Sequence, residues 1–579
     1  MSPSPSLRGA DDGRTPRSSL TAAEVEELSN LPTGMSTPRT ATFDASLEQQ
    51  VLDTEARIEQ YGGNDVRDPL PKSATSSTNA KKGHAADSVN PNLITWDGPE
   101  DPTNPQNFGY GRKWAITLMC VSMSLCVAFG SSAPTPSITR IVAEFDVSTE
   151  VSYLMLTLYL LGFVFGPPLW GPGSEMFGRR LILTSSMSAF TLFHLGQALA
   201  PNMQTFLVTR FFCGFFGVAP FTVCSGVIAD IWPALGRGPA TSLFSASTFL
   251  GPVLGPLVGG FIADSSASWR WSIWVMMIFA GVASTIIIVF LPETYTPILL
   301  LWKAQRLRKE NPEKTKDLYA EHETRDFSIR GILHQTVFRP FHMLVLEPIL
   351  MLVTVYISLV YGVLYALFEA IPVVFETKHG FTISQTGLIF IGVGIGTSLA
   401  SVVNHLLTRH YATLVVKWRG FPPPEQRLYG SMIAGPCLVI GAFWLGWTGE
   451  YSSIHWAVPA ISTIFIGFGI GAIFIGFLSY LVDTYLMYAA SAFAANTIVR
   501  SLVAAAFPLF TVQMFEKLGI NWASTLLGLV ALVLCPMPFL FYKYGPRIRA
   551  SSKFAPCMDL KIAAEWEREE RLRRKESQV

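Results

Sequence analysis

Apolar stretches of about 20 residues recur along this chain, separated by short polar connections. They fall near residues 114–136, 151–171, 181–200, 203–227, 240–263, 272–291, 346–375, 384–408, 427–447, 455–482, 489–515 and 521–544. A helix of that length, rising about 1.5 Å per residue, crosses a hydrocarbon core of roughly 30 Å. Inside lipid the backbone must satisfy its own hydrogen bonds, so each run predicts a helix. We number them span 1 to span 12 in chain order. A polar, charged stretch at 293–345, containing KAQRLRKENPEKTKD, divides them six and six. The pattern predicts an all-α polytopic membrane protein with one bundle over 111–292 and a second over 346–545.

The flanks read differently. Residues 1–110 are rich in Ser, Thr, Pro, Asp and Asn, too polar to offset the entropy of ordering, and predict a disordered tail. The segment MSPSPSLRGADDGRTPRSS has no apolar core, so no cleaved signal peptide is read there and span 1 is the expected insertion signal. Residues 546–579 form a charged tail whose end, EWEREERLRRKESQV, predicts a solvated helix. Lys and Arg concentrate on one alternating set of connections: Arg179, Arg180 and Arg237, the central loop, Arg409 to Arg427, and Lys543 to Arg549. That set is therefore expected to be cytosolic, together with both tails.

Composition narrows the chemistry. Half the residues are hydrophobic, 15% are charged and the net charge is +1, which argues for no polyanionic partner such as nucleic acid. None of the seven cysteines forms a metal-like CxxC pair, and no phosphate-binding loop or nucleophile–base set is present. The sequence therefore predicts neither an enzyme nor a cofactor or ATP-driven machine.

The connection after span 2 reads GPGSEMFGRR. With Gly171, Glu175, Gly178, Arg179 and Arg180 it resembles the signature of the major facilitator superfamily, departing from it in Glu175 for Asp and in Met176. Gly178 permits a tight turn. Glu175 and Arg179, four apart on a helix, are placed to pair. The resemblance implies that the acid caps span 11, that Arg179 pairs with Asp230 at the end of span 4, and that these contacts latch the two halves outward-open. Span 5 carries GPVLGPLVGG, in which Gly251, Gly255 and Gly259 share one helix face and Pro252 and Pro256 introduce a bend. With Gly260, this string resembles the antiporter motif of drug:proton antiporters, where it seals the halves against ion leak. LPETY closing span 6, WDGPEDPTNPQNF before span 1 and EQRL opening span 9 add to a resemblance to the fungal twelve-span drug:proton antiporters, the branch of multidrug and polyamine exporters. It covers residues 94–550.

Three ionisable residues stand out within the apolar runs. Arg210 in span 4 lies roughly 10 Å inside its outer end by helical rise. With Gly214 it matches a family motif implicated in proton coupling. Glu369 in span 7 is the best candidate for a proton- or cation-binding acid. Arg500 lies roughly 16 Å into span 11, with Asn496 one turn earlier on the same face. A charge at such depth needs a partner or water, and Asp483 and Glu369 are the two acids on offer. Tyr361, Tyr365 and Phe368 precede Glu369 at near-helical spacing and, with Glu369 and Asn496, predict a substrate cavity with an aromatic wall. One midspan acid against two deep arginines favours a neutral, weakly charged or amphipathic substrate over a polyamine.

The resulting expectation is a proton-coupled secondary transporter, exporting a drug, toxin or secondary metabolite by alternating access. Its partners are a small molecule, protons and the bilayer. It is expected to act as a monomer in the plasma membrane, with the vacuolar membrane as the alternative. A polyamine or nutrient transporter, and a non-transporting sensor, are the competing readings.

Overall fold

The computed structural model describes residues 92–576, apart from residues 99, 234–235, 311, 313–316, 325–330 and 332–333. The tail before residue 92 lies outside the described residues. Among those described, nine helical stretches are long and apolar enough to cross a membrane unaided. Three further crossings complete the predicted twelve. Span 2 is a broken helix, Thr149–Phe165 and Pro167–Phe177, bent by 43°. Span 3, Arg179–Ala198, is a continuous helix kept less apolar by its Ser, Thr, His and Gln. The stretch Ala489–Ala550 holds two crossings, because Gly519 at φ 79° interrupts it and separates span 11 from span 12.

The remaining spans are Tyr110–Ser132, Met203–Gly217 with Ala219–Ile231, Gly238–Asp264, Arg270–Phe290, Pro348–Pro372, Ile383–Leu407, Tyr429–Gly449 and Ala457–Tyr485. Local chemistry fixes several starts. Asn202 caps span 4 through Thr205 N–H, and Thr382 and Gln385 form a reciprocal capping box on span 8. The prolines of span 5 are absorbed without breaking it. Pro256 lacks the N–H that would bond Pro252 C=O, and Ser132 Oγ of span 1 donates to that carbonyl at 2.9 Å instead.

Two predicted boundaries shift. The described residues between 92 and 109, assigned by composition to the tail, are folded, and the first of them lie on the central loop. Ile94 N–H donates to Tyr319 C=O at 3.0 Å, Tyr319 N–H donates to Asn92 C=O at 2.9 Å, and Lys303 pairs with Asp97 at 2.7 Å. Nearby, the hydroxyl and backbone N–H of Thr103 hold the Asp101 carboxyl below the usual range. The central loop itself contains a helix, Thr296–Glu310. The C-terminal helix is present at Met558–Glu576 and is mostly exposed, and the part-exposed segment leading to it is tied to the second half through Glu347.

The two halves meet along span 5 against span 8 and span 2 against span 11. Their close contacts concentrate away from the basic end. Thr157 Oγ1 donates to Ala505 C=O at 2.8 Å, and Ser384 N–H donates to Asp264 Oδ2 at 2.9 Å. Gly387 abuts Pro256 C=O so closely that a Cβ would lie 2.5 Å from it. The half of span 5 from Gly251 to Gly260 is mostly buried, whereas the stretch before it towards the basic end is mostly part-exposed.

Candidate functional site

At the basic end, one cluster gathers the signature residues. Arg179 Nε pairs with Asp230 Oδ2 at 3.2 Å, its Nη1 donates to Ser174 Oγ at 2.7 Å, and the guanidinium lies over the Tyr295 ring at 4.6 Å. Gly178 sits at φ 94° immediately before the span 3 helix. Glu293 faces that helix start: its carboxylate accepts from Arg179 N–H at 2.9 Å and Arg180 N–H at 3.1 Å. A carboxylate at a helix N-terminus offsets both unpaired amides and the dipole. A Cβ on Gly178 would lie 2.4 Å from Glu293 Oε2, so this glycine is required for space as well as for φ. The Glu293 contact was not read in advance, although LPETY was its signal. Gly171 has open space around it. Glu175 is within electrostatic reach of Arg179, and its backbone carbonyl accepts from His322 Nε2 at 3.1 Å.

The second half repeats the arrangement. Arg427, at the start of span 9, pairs with Asp483 at the end of span 10 at 2.8 Å and lies over the Tyr411 ring at 3.5 Å. Glu425, of the EQRL string, pairs with Arg549 at 2.9 Å, and Arg549 also pairs with Asp559 at 2.7 Å. The separations are similar, 51 residues for Arg179–Asp230 and 56 for Arg427–Asp483, so the repeat was visible as spacing. All of these pairs stay within one half.

The antiporter-type string divides its contacts. Gly251, Gly255 and Gly259 face span 1, where an added Cβ would lie 2.3 Å from Ala128 Cβ, 1.9 Å from Ser132 Oγ and 2.4 Å from Ala133 O. Gly260 and the Pro256 carbonyl instead face span 8, at Ile383 and Gly387. The glycine face thus builds the first half, and the adjacent face touches the other half.

Arg210 is fully buried and reaches three carbonyls: Met155 from Nε at 3.2 Å, Gly130 from Nη1 at 2.8 Å and Ser131 from Nη2 at 2.8 Å. Its guanidinium lies over the Tyr159 ring at 4.6 Å. These contacts staple spans 1, 2 and 4 together. The acid that the family resemblance places nearby does not form an ion pair with it among the described residues. Across the interface, Tyr365 Oη of span 7 donates to Ser131 Oγ at 3.3 Å, so the residue that accepts from Arg210 also joins the halves. Sequence reading offered no signal for Ser131.

Tyr361, Tyr365 and Phe368 are all buried and in mutual ring contact at 5.2 and 5.4 Å. Phe390 stacks on Phe368 at 5.7 Å, and Phe474 lies 6.2 Å from Tyr361. Arg500 sits against this wall, 5.0 Å from the Tyr361 centroid and 4.7 Å from that of Phe474. Its Nε is buried without a hydrogen-bond partner. Asp483, one of its two expected partners, is committed to Arg427 in the same half. Glu369, the other, is 4% exposed, and neither of its carboxylate oxygens has a hydrogen-bond partner among the described residues. Tyr153 of span 2 lies within electrostatic reach of it, which puts Glu369 beside the interface. A cation–π contact is worth up to about 2 kcal/mol when desolvated. Two of them return only part of the several kcal/mol lost on withdrawing a cation from water. Asn496, expected in the cavity, is fully buried and donates from Nδ2 to Thr354 Oγ1 at 3.3 Å, which ties span 11 to span 7.

Comparison with known proteins accords with this architecture. Residues 120–508 match the Major Facilitator Superfamily. An ascochitine biosynthesis cluster transporter of Didymella fabae is 42% identical over 81% of this chain and 90% of its own length. An efflux pump of Trichophyton rubrum is 45% identical over 81% of this chain and 78% of its own. A multidrug transporter of Aspergillus fumigatus is 40% identical over 79% and 75%. In fold, the chain is similar to a proton:xylose symporter at TM-score 0.55 and 18% identity, covering 76% of this chain and 96% of that one. Twelve crossings in two halves, the signature cluster at the basic end and these relatives together place the chain in the major facilitator superfamily, as a membrane transporter and not an enzyme.

Proposed function

We propose that the protein exports a hydrophobic or amphipathic organic compound in exchange for protons, by alternating access between its halves. The observation that carries this reading is Glu369: a carboxyl buried beside the interface, with neither oxygen hydrogen-bonded, is placed to take and release a proton as the halves move. Arg210 and Arg500 flank the same interface from opposite halves. Arg210 acts through Ser131 and Tyr365, and Arg500 through the aromatic wall. The basic-end clusters keep the ends of each half rigid during the swing. Contacts concentrated at the far end match a cytosol-facing arrangement, from which cargo is loaded before release outside. Relatives described as an efflux pump and a multidrug transporter support the direction. The protein is read as a monomer in the plasma membrane.

The test is transport in sealed proteoliposomes. Efflux substrates should accumulate when a pH difference of the correct sign is imposed and should stop when an ionophore collapses it. Movement that ignores the gradient would reject proton coupling. Movement only in the opposite direction would reject export.

A further inference from the structure

Arg500 is a cation to which the described residues bring no counter-charge within ion-pair distance. Among the described residues it makes no ion pair, and its Nε has no hydrogen-bond partner. Asp483 is taken by Arg427, and Glu425 and Asp559 are taken by Arg549. Arg210 differs in kind: it is sealed and spends three donors on backbone carbonyls. Arg500 is less sealed than Arg210: the residue as a whole is part-exposed, although its Nε is buried. Both arginines lie within electrostatic reach of Tyr365, so two cations approach the same ring from opposite halves. Among the described residues, Glu369 is the acid that adjoins the aromatic wall, next to Phe368 in sequence. It is sealed, so it is less available than Arg500 to a ligand arriving between the halves.

We propose that Arg500, together with the ring faces of Tyr361 and Phe474, is the recognition point for an aromatic organic anion, a carboxylate or acidic phenol carried on a flat ring. The guanidinium offers planar, forked donors that suit a carboxylate, and it cannot shed its charge. The surrounding rings, Tyr361, Tyr365, Phe368 and Phe474, are packed on one another and buried, so the apolar body stacks on them only as the halves part. This deepens the export reading by naming the substrate class of the same site, and it disfavours an organic cation there.

The experiment measures binding to the purified full-length protein in detergent, with naphthaleneacetate, its methyl ester and naphthylethylamine as probes. The acid is expected to bind on the order of tenfold to a hundredfold tighter than the ester, the range of a charge-assisted hydrogen bond. Arg500→Gln should erase that preference, and Arg500→Lys should restore part of it. Acid and ester binding equally to the unmodified protein would overturn the proposal without any variant, and tighter binding of the amine would do the same. Vesicles in which a pH difference drives no solute would reject export while leaving an acid-over-ester preference intact, so the two failures are distinguishable.

Discussion

Gly255→Ala offers the sharpest check on how span 5 is packed. The added Cβ would lie 1.9 Å from Ser132 Oγ and 2.8 Å from Ser132 C. Rotating the serine hydroxyl away relieves the first clash only, and it breaks the 2.9 Å bond to the Pro252 carbonyl that Pro256 leaves unpaired. The second clash is with backbone, so spans 1 and 5 must separate. Overpacking of this kind costs about 1–3 kcal/mol, and the lost interhelical hydrogen bond adds about 0.6 kcal/mol in a membrane setting. The assay is thermal unfolding of purified protein in detergent beside Gly171→Ala as the internal comparison. Gly171 belongs to the signature motif but has nothing within 4 Å of its would-be Cβ and lies in a helix. Its replacement should leave the midpoint unchanged or raise it, since alanine is the better helix former by about 0.5–1 kcal/mol. A Gly255→Ala protein that melts with the unmodified one would refute the close approach of spans 1 and 5.

Gly178→Ala should destabilise the protein by about 1–3 kcal/mol, because it combines a positive φ with a clash against Glu293; the same melting assay reads it, and a silent variant would show that Glu293 does not cap span 3. Arg549→Ala should cost about 3–5 kcal/mol by stranding Glu425 and Asp559 in a buried site. Adding Glu425→Gln and Asp559→Asn should recover part of that loss, and no recovery would place the cost elsewhere. Glu369→Gln should flatten the pH dependence of export in vesicles while leaving yield and melting near normal. An unchanged pH profile would remove Glu369 as the proton site.

The twelve crossings were legible because membrane thickness writes itself into the length of apolar runs. Span 3 was found from sequence even though its polar residues dilute its apolarity, since its length and flanks matched the others. The Arg179–Asp230 pairing was legible through family resemblance, and the pair stands at 3.2 Å. Pairings that depend on tertiary approach were not. Asp483 looked available to Arg500 because both belong to neighbouring spans, yet the start of span 9 brings Arg427 closer. Asn496 shares a helix with Arg500, but its amide faces Thr354. The folded segment at 92–109 escaped notice because its order comes from Tyr319 and Lys303, about 200 residues away in sequence, and not from its own composition.

The chain's last stretch has a consequence for how the protein is made. Glu347, buried at the start of span 7, accepts from Ser552 Oγ at 2.6 Å and from Lys553 N–H at 3.0 Å, and Arg549 waits for Asp559. These donors and acceptors leave the ribosome after every crossing has been inserted. The second bundle therefore keeps Glu347 and Arg549 short of partners until residues 552–559 have been made, and a chain truncated before them leaves a buried carboxylate and a buried guanidinium under-satisfied.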